Sequence, residues 1–272
     1  MVQGQARFTH IGDRPKIDST VAHAARTWNY LLGGKDNFQV DRQAGDHMVA
    51  ASPQLALVPR HARAFLVRAV SYLVADGGIR QFLDIGTGIP TMGNVHEVAQ
   101  AVAPDTRVVY VDNDPIVLVH ARALLTSGPS GLTDYVDGDV HDPATILAQA
   151  SRTLDFTKPV GYVLQGVLQF VIDYQRSAGV VKTLLDASAP GSYLAIGVPA
   201  SDLGTEATDA VQAWNRSGSA SITVRSHAEA LGYFAGLDLV EPGVVMMNDW
   251  RPTRDSPRDA ITMWAGVGRK PG

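Results

Sequence analysis

Residues 80–88 read Arg80-Gln81-Phe82-Leu83-Asp84-Ile85-Gly86-Thr87-Gly88. The apolar run Phe82 to Ile85, ending on a Gly-x-Gly, predicts a buried strand, a tight glycine loop and then a helix. Glycine accepts φ > 0 and lets a ligand lie close to the backbone. Strand, glycine loop and helix in that order form the first unit of a nucleotide-binding α/β sheet. The bare motif also fits an ordinary strand–turn–helix junction.

The loop discriminates between ligands. A dinucleotide site calls for Gly-x-Gly-x-x-Gly, with the pyrophosphate on the helix N-terminus. Here the third glycine position is Thr91, and Pro90 before it has no N–H for an anion. Asp84, two residues before the first glycine, sets a carboxylate towards the loop. That is unfavourable for a pyrophosphate and favourable for a ligand carrying an ammonium and a sulfonium. S-adenosylmethionine has both and no phosphate.

Downstream, a helix is expected from about Met92 to Val102, and Arg107 to Asp112 is a β-branched strand ending on a carboxylate. The acid ending this second strand hydrogen-bonds the ribose hydroxyls in a mononucleotide unit. Asp114-Pro115 has the cap-plus-proline form of a helix start, so Asp114 is read as structural and Asp112 as functional. Asn113 between them is placed to flank an adenine. Leu132–Val136 is a third strand, and Asp142-Pro143 repeats the helix start. That leaves Asp139 to accept from an adenine amino group, the Val140 N–H to meet a ring nitrogen, and His141 as a surface histidine. Val160–Val171 is the next strand, with Gln165 and Gln169 where it should emerge at the carboxyl edge, the ligand side of open α/β sheets. A buried Gln needs a partner. Helices over 173–189 and 202–217, strands over 192–198, 237–241 with 244–247, and 261–267, and a Ser226/Glu229 capping box complete the reading. Met246, Met247 and Trp250 are expected in the core.

Upstream, residues 1–17 read as a loose arm. A helix from Ser19 or Thr20 to Leu32 is stopped by Gly33-Gly34. The run Lys35-Asp36-Asn37-Phe38-Gln39-Val40-Asp41-Arg42 is either a specific hydrogen-bonded loop or a solvated connector. Helices follow over 41–51 and from Arg60 to Ala75, the second with Ala62, Phe65, Leu66, Ala69, Val70, Leu73 and Val74 at helical spacing. Thus 79 residues, mostly helical, precede Arg80.

Composition narrows the class. The 272 residues, 45% hydrophobic, suffice for a full core, and the net charge of −4 argues against a generic nucleic-acid binder. With no cysteine, disulfides and thiolate chemistry are excluded. No run has the length of a membrane span or the form of a signal peptide, so a soluble, cytoplasmic protein is expected.

Leu83 to Gly88, then Val109 to Asp112, then Asp139-Val140 resemble the class I S-adenosylmethionine-dependent methyltransferases in order and spacing. Leu31-Leu-Gly-Gly-Lys-Asp-Asn-Phe38, Asp41-Arg42, Asp84 to Thr91, Tyr110 to Pro115, Glu241-Pro-Gly-Val-Val and Trp250-Arg-Pro252 resemble more closely the actinobacterial S-adenosyl methyltransferase family of unassigned substrate. The resemblance spans roughly residues 17–268. It implies an α/β, Rossmann-like, seven-stranded, mostly parallel sheet with helices on both faces and an antiparallel last strand. It also implies a helical N-terminal cap over residues 1–79, with the methyltransferase core in 80–272. The cofactor site expected is Asp84, Gly86, Thr87, Gly88, Asp112, Asn113, Asp139, Val140 and Gln165, with no metal. The lid and substrate side is assigned to Trp28, Tyr30, Lys35, Asp36, Asn37 and Arg42, with Trp250 a further aromatic wall. The acceptor is expected to be a small molecule, with no nucleic-acid or membrane partner. In the family the fourth strand ends Leu-His-x-x-Pro-Asp, whereas here Gln169 replaces the histidine and Ile172 the proline. Asn29 stands where an Asp is common. Gln cannot act as a general base, so no catalytic residue is assigned; Gln169 and Tyr30 are the only candidates. Two alternatives stand beside the methyltransferase: a non-catalytic binder of S-adenosylmethionine or S-adenosylhomocysteine, and an NAD-dependent oxidoreductase.

Overall fold

The computed structural model describes residues 17–124, 131–217 and 220–272; of the arm expected over 1–17, all but Ile17 lies outside them. Strands β1 (Gln81–Ile85), β2 (Arg107–Asp112), β3 (Leu132–Asp137), β4 (Gly161–Gln165) and β5 (Tyr193–Pro199) pair in parallel. Two dipeptide strands, β6 (Asp238–Leu239) and β7 (Val245–Met246), pair antiparallel with β8 (Met263–Arg269), which itself pairs antiparallel with β5. The order is β3-β2-β1-β4-β5-β8-β6, with β7 also on β8. β6 and β7 together fill the seventh position, interrupted between Val240 and Val244, so the seven-stranded, mostly parallel sheet with a reversed last strand is what forms.

Side-chain alternation assigns the faces. Leu83, Val109, Val111, Leu164 and Ile196 point to one side and pack with Ile146 of α6 (Pro143–Ala150) and with Val180 and Leu184 of α7 (Tyr174–Asp186). Phe82, Val108, Val163 and Ala195 point to the other and pack with Val70 and Leu73 of α3 (Val58–Ala75) and Ala99 of α4 (Val95–Val102). Apolar residues on both faces of the central strands are what a parallel sheet between helical layers requires. α3 therefore belongs to the layered core, not to a cap. β1 lies between β2 and β4, so the chain order reverses there and a crevice opens at the carboxyl ends.

Above that edge stand α1 (Ala24–Leu31), α2 (Gln39–Ala51) and α8 (Glu206–Asn215). Ala44 and Met48 of α2 pack with Ala210, Val211 and Trp214 of α8. The cap thus has a second half, contributed from the chain after β5, which the sequence reading left in the core.

Several boundaries move for local reasons. α1 starts at Ala24, because the Arg26 guanidinium donates to the Asp18 and Val21 carbonyls at 2.9 and 2.7 Å and holds residues 18–23 outside the helix. α4 begins at Val95, where Asn94 and Glu97 form a capping box. β4 ends at Gln165; Gly166 has φ +74°, and Gln169 lies in a 3-10 turn over Leu168–Phe170, so the strand does not continue to Val171. The Ser226/Glu229 capping box forms at α9 (His227–Gly232).

Candidate active site

The crevice is a cavity of about 490 Å³ bounded by the carboxyl ends of β1, β2 and β4, by α1 and by α8. Its size is that of a small-molecule site. Asp84, Gly86, Thr87, Gly88, Asp112, Asn113, Asp139, Val140 and Gln165 all line it.

The glycine loop is closed upon the protein. The Gly86 and Thr87 N–H groups donate to the Val111 carbonyl at 2.8 and 3.2 Å, and the Gly88 N–H donates to Asp112 Oδ2 at 2.7 Å. The amides that would cradle a pyrophosphate are already spoken for. Gly86 has φ +77°, and a Cβ there would stand 2.6 Å from Cβ of Val167, so no other residue fits.

Asp112 is buried, and its Oδ1 accepts the Asp114 N–H at 3.0 Å. Burial raises its pKa against the pull of these two backbone donors. Asp84 is buried at the end of β1, and its pKa is pushed up to about 7, with burial outweighing the charge of Arg63. Arg63, on α3, also lines the cavity; burial lowers its pKa and Asp84 opposes that. No ion-pair contact joins Arg63 to Asp84 among the described residues. The two charges face one cavity with space between them.

Asp139 is less free than its position suggested: Oδ1 accepts the His141 N–H at 2.9 Å and lies 2.7 Å from its ring Nδ1. Gln165 is tucked over Gly197, its neighbour on β5, where a Cβ would come within 2.3 Å of Oε1. Its Nε2 lies 3.8 Å from Met247 Sδ, and Oε1 is buried with no partner among the described residues. Gln169 lines the cavity, and its Oε1 likewise has no partner among the described residues.

The cap residues divide. Trp28 and Asn29 line the cavity; Tyr30, Lys35, Asp36, Asn37 and Arg42 do not. The Tyr30 hydroxyl donates to Asp46 at 2.7 Å, away from the crevice, which removes it as a candidate for the chemistry. The 35–42 run is the specific hydrogen-bonded loop. Asn37 Nδ2 donates to Asn29 Oδ1 and to the Gly34 carbonyl at 3.0 Å each, and Arg42 donates to Asn37 Oδ1 at 3.0 Å. Asp36 meets Asn29 through its backbone N–H, and Lys35 is exposed. These residues build the cap and do not line the cavity. Trp250 is wholly buried against Phe65 and Tyr72, a core residue and not a wall. Asp114 caps α5 (Pro115–Leu124) through the Ile116 N–H at 3.0 Å, as expected, and additionally faces His23 and Arg26 of the cap. Arg63 and Glu206 line the cavity and were missed from the sequence.

No helix among the described residues is long and apolar enough to cross a membrane. A family model described as S-adenosyl methyltransferase matches residues 11–271. Among solved structures, the chain is similar to a DUF574 family protein from Streptomyces avermitilis: 44% identity over 94% of this chain and 100% of that one, TM-score 0.90. It is also similar to a putative methyltransferase from Thermobifida fusca: 37% identity over 97% and 100%, TM-score 0.84. Human N-acetylserotonin methyltransferase in complex with S-adenosylmethionine shares the fold alone, at 13% identity over 92% of this chain and 64% of that one, TM-score 0.51. No curated protein matches the chain.

Proposed function

The chain belongs to the S-adenosyl methyltransferase family, and from that premise we propose that its cavity holds the cofactor on the β1–β2 side and a small-molecule methyl acceptor on the side facing α2 and α8. The protein is an S-adenosylmethionine-dependent methyltransferase. The residues present suit that cofactor. The loop amides are consumed internally, which disfavours phosphate, while a carboxylate and a guanidinium stand apart in the same cavity, which suits an amino acid zwitterion.

Bound there, S-adenosylmethionine supplies an electrophilic methyl group on a sulfonium. Asp84 would hold the amino group and Arg63 the carboxylate of its methionine end. Asp112, already oriented by two backbone donors, would accept from the ribose hydroxyls. Asn113, Asp139 and Val140 would flank the adenine, and Gln165 would border the reacting end. Methyl transfer is an in-line displacement in which charge disperses, so the protein's main tasks are alignment and exclusion of water. Trp28, Phe170 and Trp214 close the acceptor side with apolar surface. A general base is not obligatory for an acceptor of low enough pKa, and Gln169 cannot serve as one. Residues 19–42 act as a lid over the cofactor. The enclosed, acid-lined cavity favours a small molecule over a nucleic acid.

The observation that carries this reading is the Asp112 carboxylate locked between the Gly88 and Asp114 N–H groups. Calorimetry should show S-adenosylhomocysteine binding and NAD not binding. Asp112→Ala should weaken binding by about 1.5–3 kcal/mol, the range for charged hydrogen bonds. Unchanged affinity in a folded Asp112→Ala protein would remove the assignment. Turnover of S-adenosylmethionine with a panel of small acceptors separates an enzyme from a silent binder.

A further inference from the structure

Three basic side chains line the cavity, and each already faces an acid. Arg63 faces Asp84, His23 lies 2.8 Å from Asp114, and His141 lies 2.7 Å from Asp139. Glu206 is left over. It is the first residue of α8, lines the acceptor side with Ala207 and Ala210, and has neither a hydrogen bond nor an ion pair among the described residues. Its Oε2 is buried. The N-terminus of α8 favours a carboxylate at that position, and a buried oxygen without a partner leaves a hydrogen-bonding position that a ligand can fill.

Two more buried oxygens without partners belong to the same cavity, Gln165 Oε1 and Gln169 Oε1. The surrounding wall is apolar: Met48, Leu55, Phe170, Val211, Trp214 and Ile222. The acceptor side therefore offers an aromatic-lined, apolar chamber bordered by one carboxylate and two glutamine amides whose oxygens lack partners among the described residues. A carboxylate or phosphate would meet like charge and lone pairs there, and a protonated amine would meet its complement.

We infer that the methyl acceptor is a small, largely apolar molecule bearing an amine, with Glu206 as the residue that recognises the amino group. This rests on the reading of the cavity as a methyltransferase site. It concerns recognition only, whichever atom of the acceptor takes the methyl group.

The test uses the full chain loaded with S-adenosylhomocysteine and titrated by calorimetry with phenethylamine, phenethyl alcohol and phenylacetate, which share one apolar body. Phenethylamine should bind most tightly and phenylacetate most weakly. Glu206→Gln should weaken phenethylamine by about tenfold or more, as loss of a charge-assisted hydrogen bond does, and leave the alcohol nearly unaffected. Glu206→Lys should reverse the preference towards phenylacetate. Phenylacetate binding wild type as tightly as the amine, no amine binding at all, or a folded Glu206→Gln protein with unchanged amine affinity would each overturn the inference. Failure of S-adenosylhomocysteine itself to bind would instead overturn the cofactor reading, so the two failures are distinguishable.

Discussion

His23 Nδ1 lies 2.8 Å from Asp114 Oδ2, joining the residue that caps α1 to the residue that caps α5. A ring nitrogen so close to a carboxylate carries the proton and donates, which excludes its acting as acceptor for the Ala25 N–H at 3.4 Å. Arg26 stands behind it, 3.3 Å from the wholly buried Asp41 and 4.0 Å from Asp114. Asp41 in turn accepts the His23 and Phe38 N–H groups, both at 2.8 Å. The cap is thereby fastened two residues from Asp112. Burial opposes the charge on Asp114, yet the contact with His23 and the neighbouring cations hold its pKa below the usual carboxylate value.

This latch can be cut without removing the helix cap. Asn caps a helix as well as Asp does, so Asp114→Asn should leave α5 in place and cost the fold only about 1 kcal/mol, discounted because His23 is partly exposed. Hydrogen exchange over residues 19–42 should accelerate, and S-adenosylhomocysteine should bind more weakly. Identical exchange in mutant and wild type would mean that the cap is held by its apolar contacts with α8 alone.

Cofactor affinity should depend on pH through Asp84. Its folded pKa is raised to about 7, so below that pH the group is largely neutral and a poor partner for an ammonium. Affinity should therefore rise as pH increases through about 7, with protons released on binding at the acid end of that range. The stability linkage has the opposite sign. Between the ordinary carboxylate range and pH 7 the folded state binds the extra proton, so Asp84 makes the unliganded protein less stable as pH rises there. Asp84→Asn should flatten both profiles; a binding curve that keeps its slope in this mutant would place the titrating group elsewhere.

Gln169 should contribute contact and no proton transfer. Gln169→Ala is expected to raise the KM for the acceptor, and the limbs of the pH–rate profile should be the same in both proteins. A limb present in wild type and missing in Gln169→Ala would contradict this, since an amide does not ionise in that range.

Two glycines should differ in a predictable way. At Gly197 the nearest atoms that an added methyl meets are the end of the Gln165 side chain, which can swing aside. Gly197→Ala should thus cost less than about 1 kcal/mol of stability and act instead on acceptor binding. At Gly86 the added methyl meets the branched Val167 Cβ, with φ +77°, and neither can yield. Gly86→Ala should cost about 2–4 kcal/mol, combining left-handed strain and overpacking. Equal melting temperatures for the two variants would refute the difference.

Much of the cofactor side could be read from the chain because local rules write it: an apolar run ending in Gly-x-Gly, a strand ending on Asp112, Asp-Pro helix starts. The acceptor side is built from distant segments, and local rules are silent there. α8 reaches the crevice by packing on α2, and nothing near Glu206 announces that. Val167, Leu168 and Val171 read as strand continuation, yet they bury their side chains from a 3-10 turn. Other signals were present. Residues two apart on a helix point about 200° apart, so Trp28 and Tyr30 could not both face one cavity. A helix feeding the start of a parallel strand has its own N-terminal end at the carboxyl edge, which places Arg63 of α3 at the ligand side. The 35–42 run looked like ligand-binding chemistry because loops that bind ligands and loops that hold themselves together use the same residue types.

A crystal structure of the protein with S-adenosylhomocysteine tests the central claim most directly. The account predicts the ribose hydroxyls on Asp112, the amino group at Asp84, the carboxylate at Arg63 and the adenine beside Asn113 and Val140, with Trp28 and α8 closing the other side. Ligand density outside this cavity, or a ribose that leaves Asp112 untouched, would contradict it.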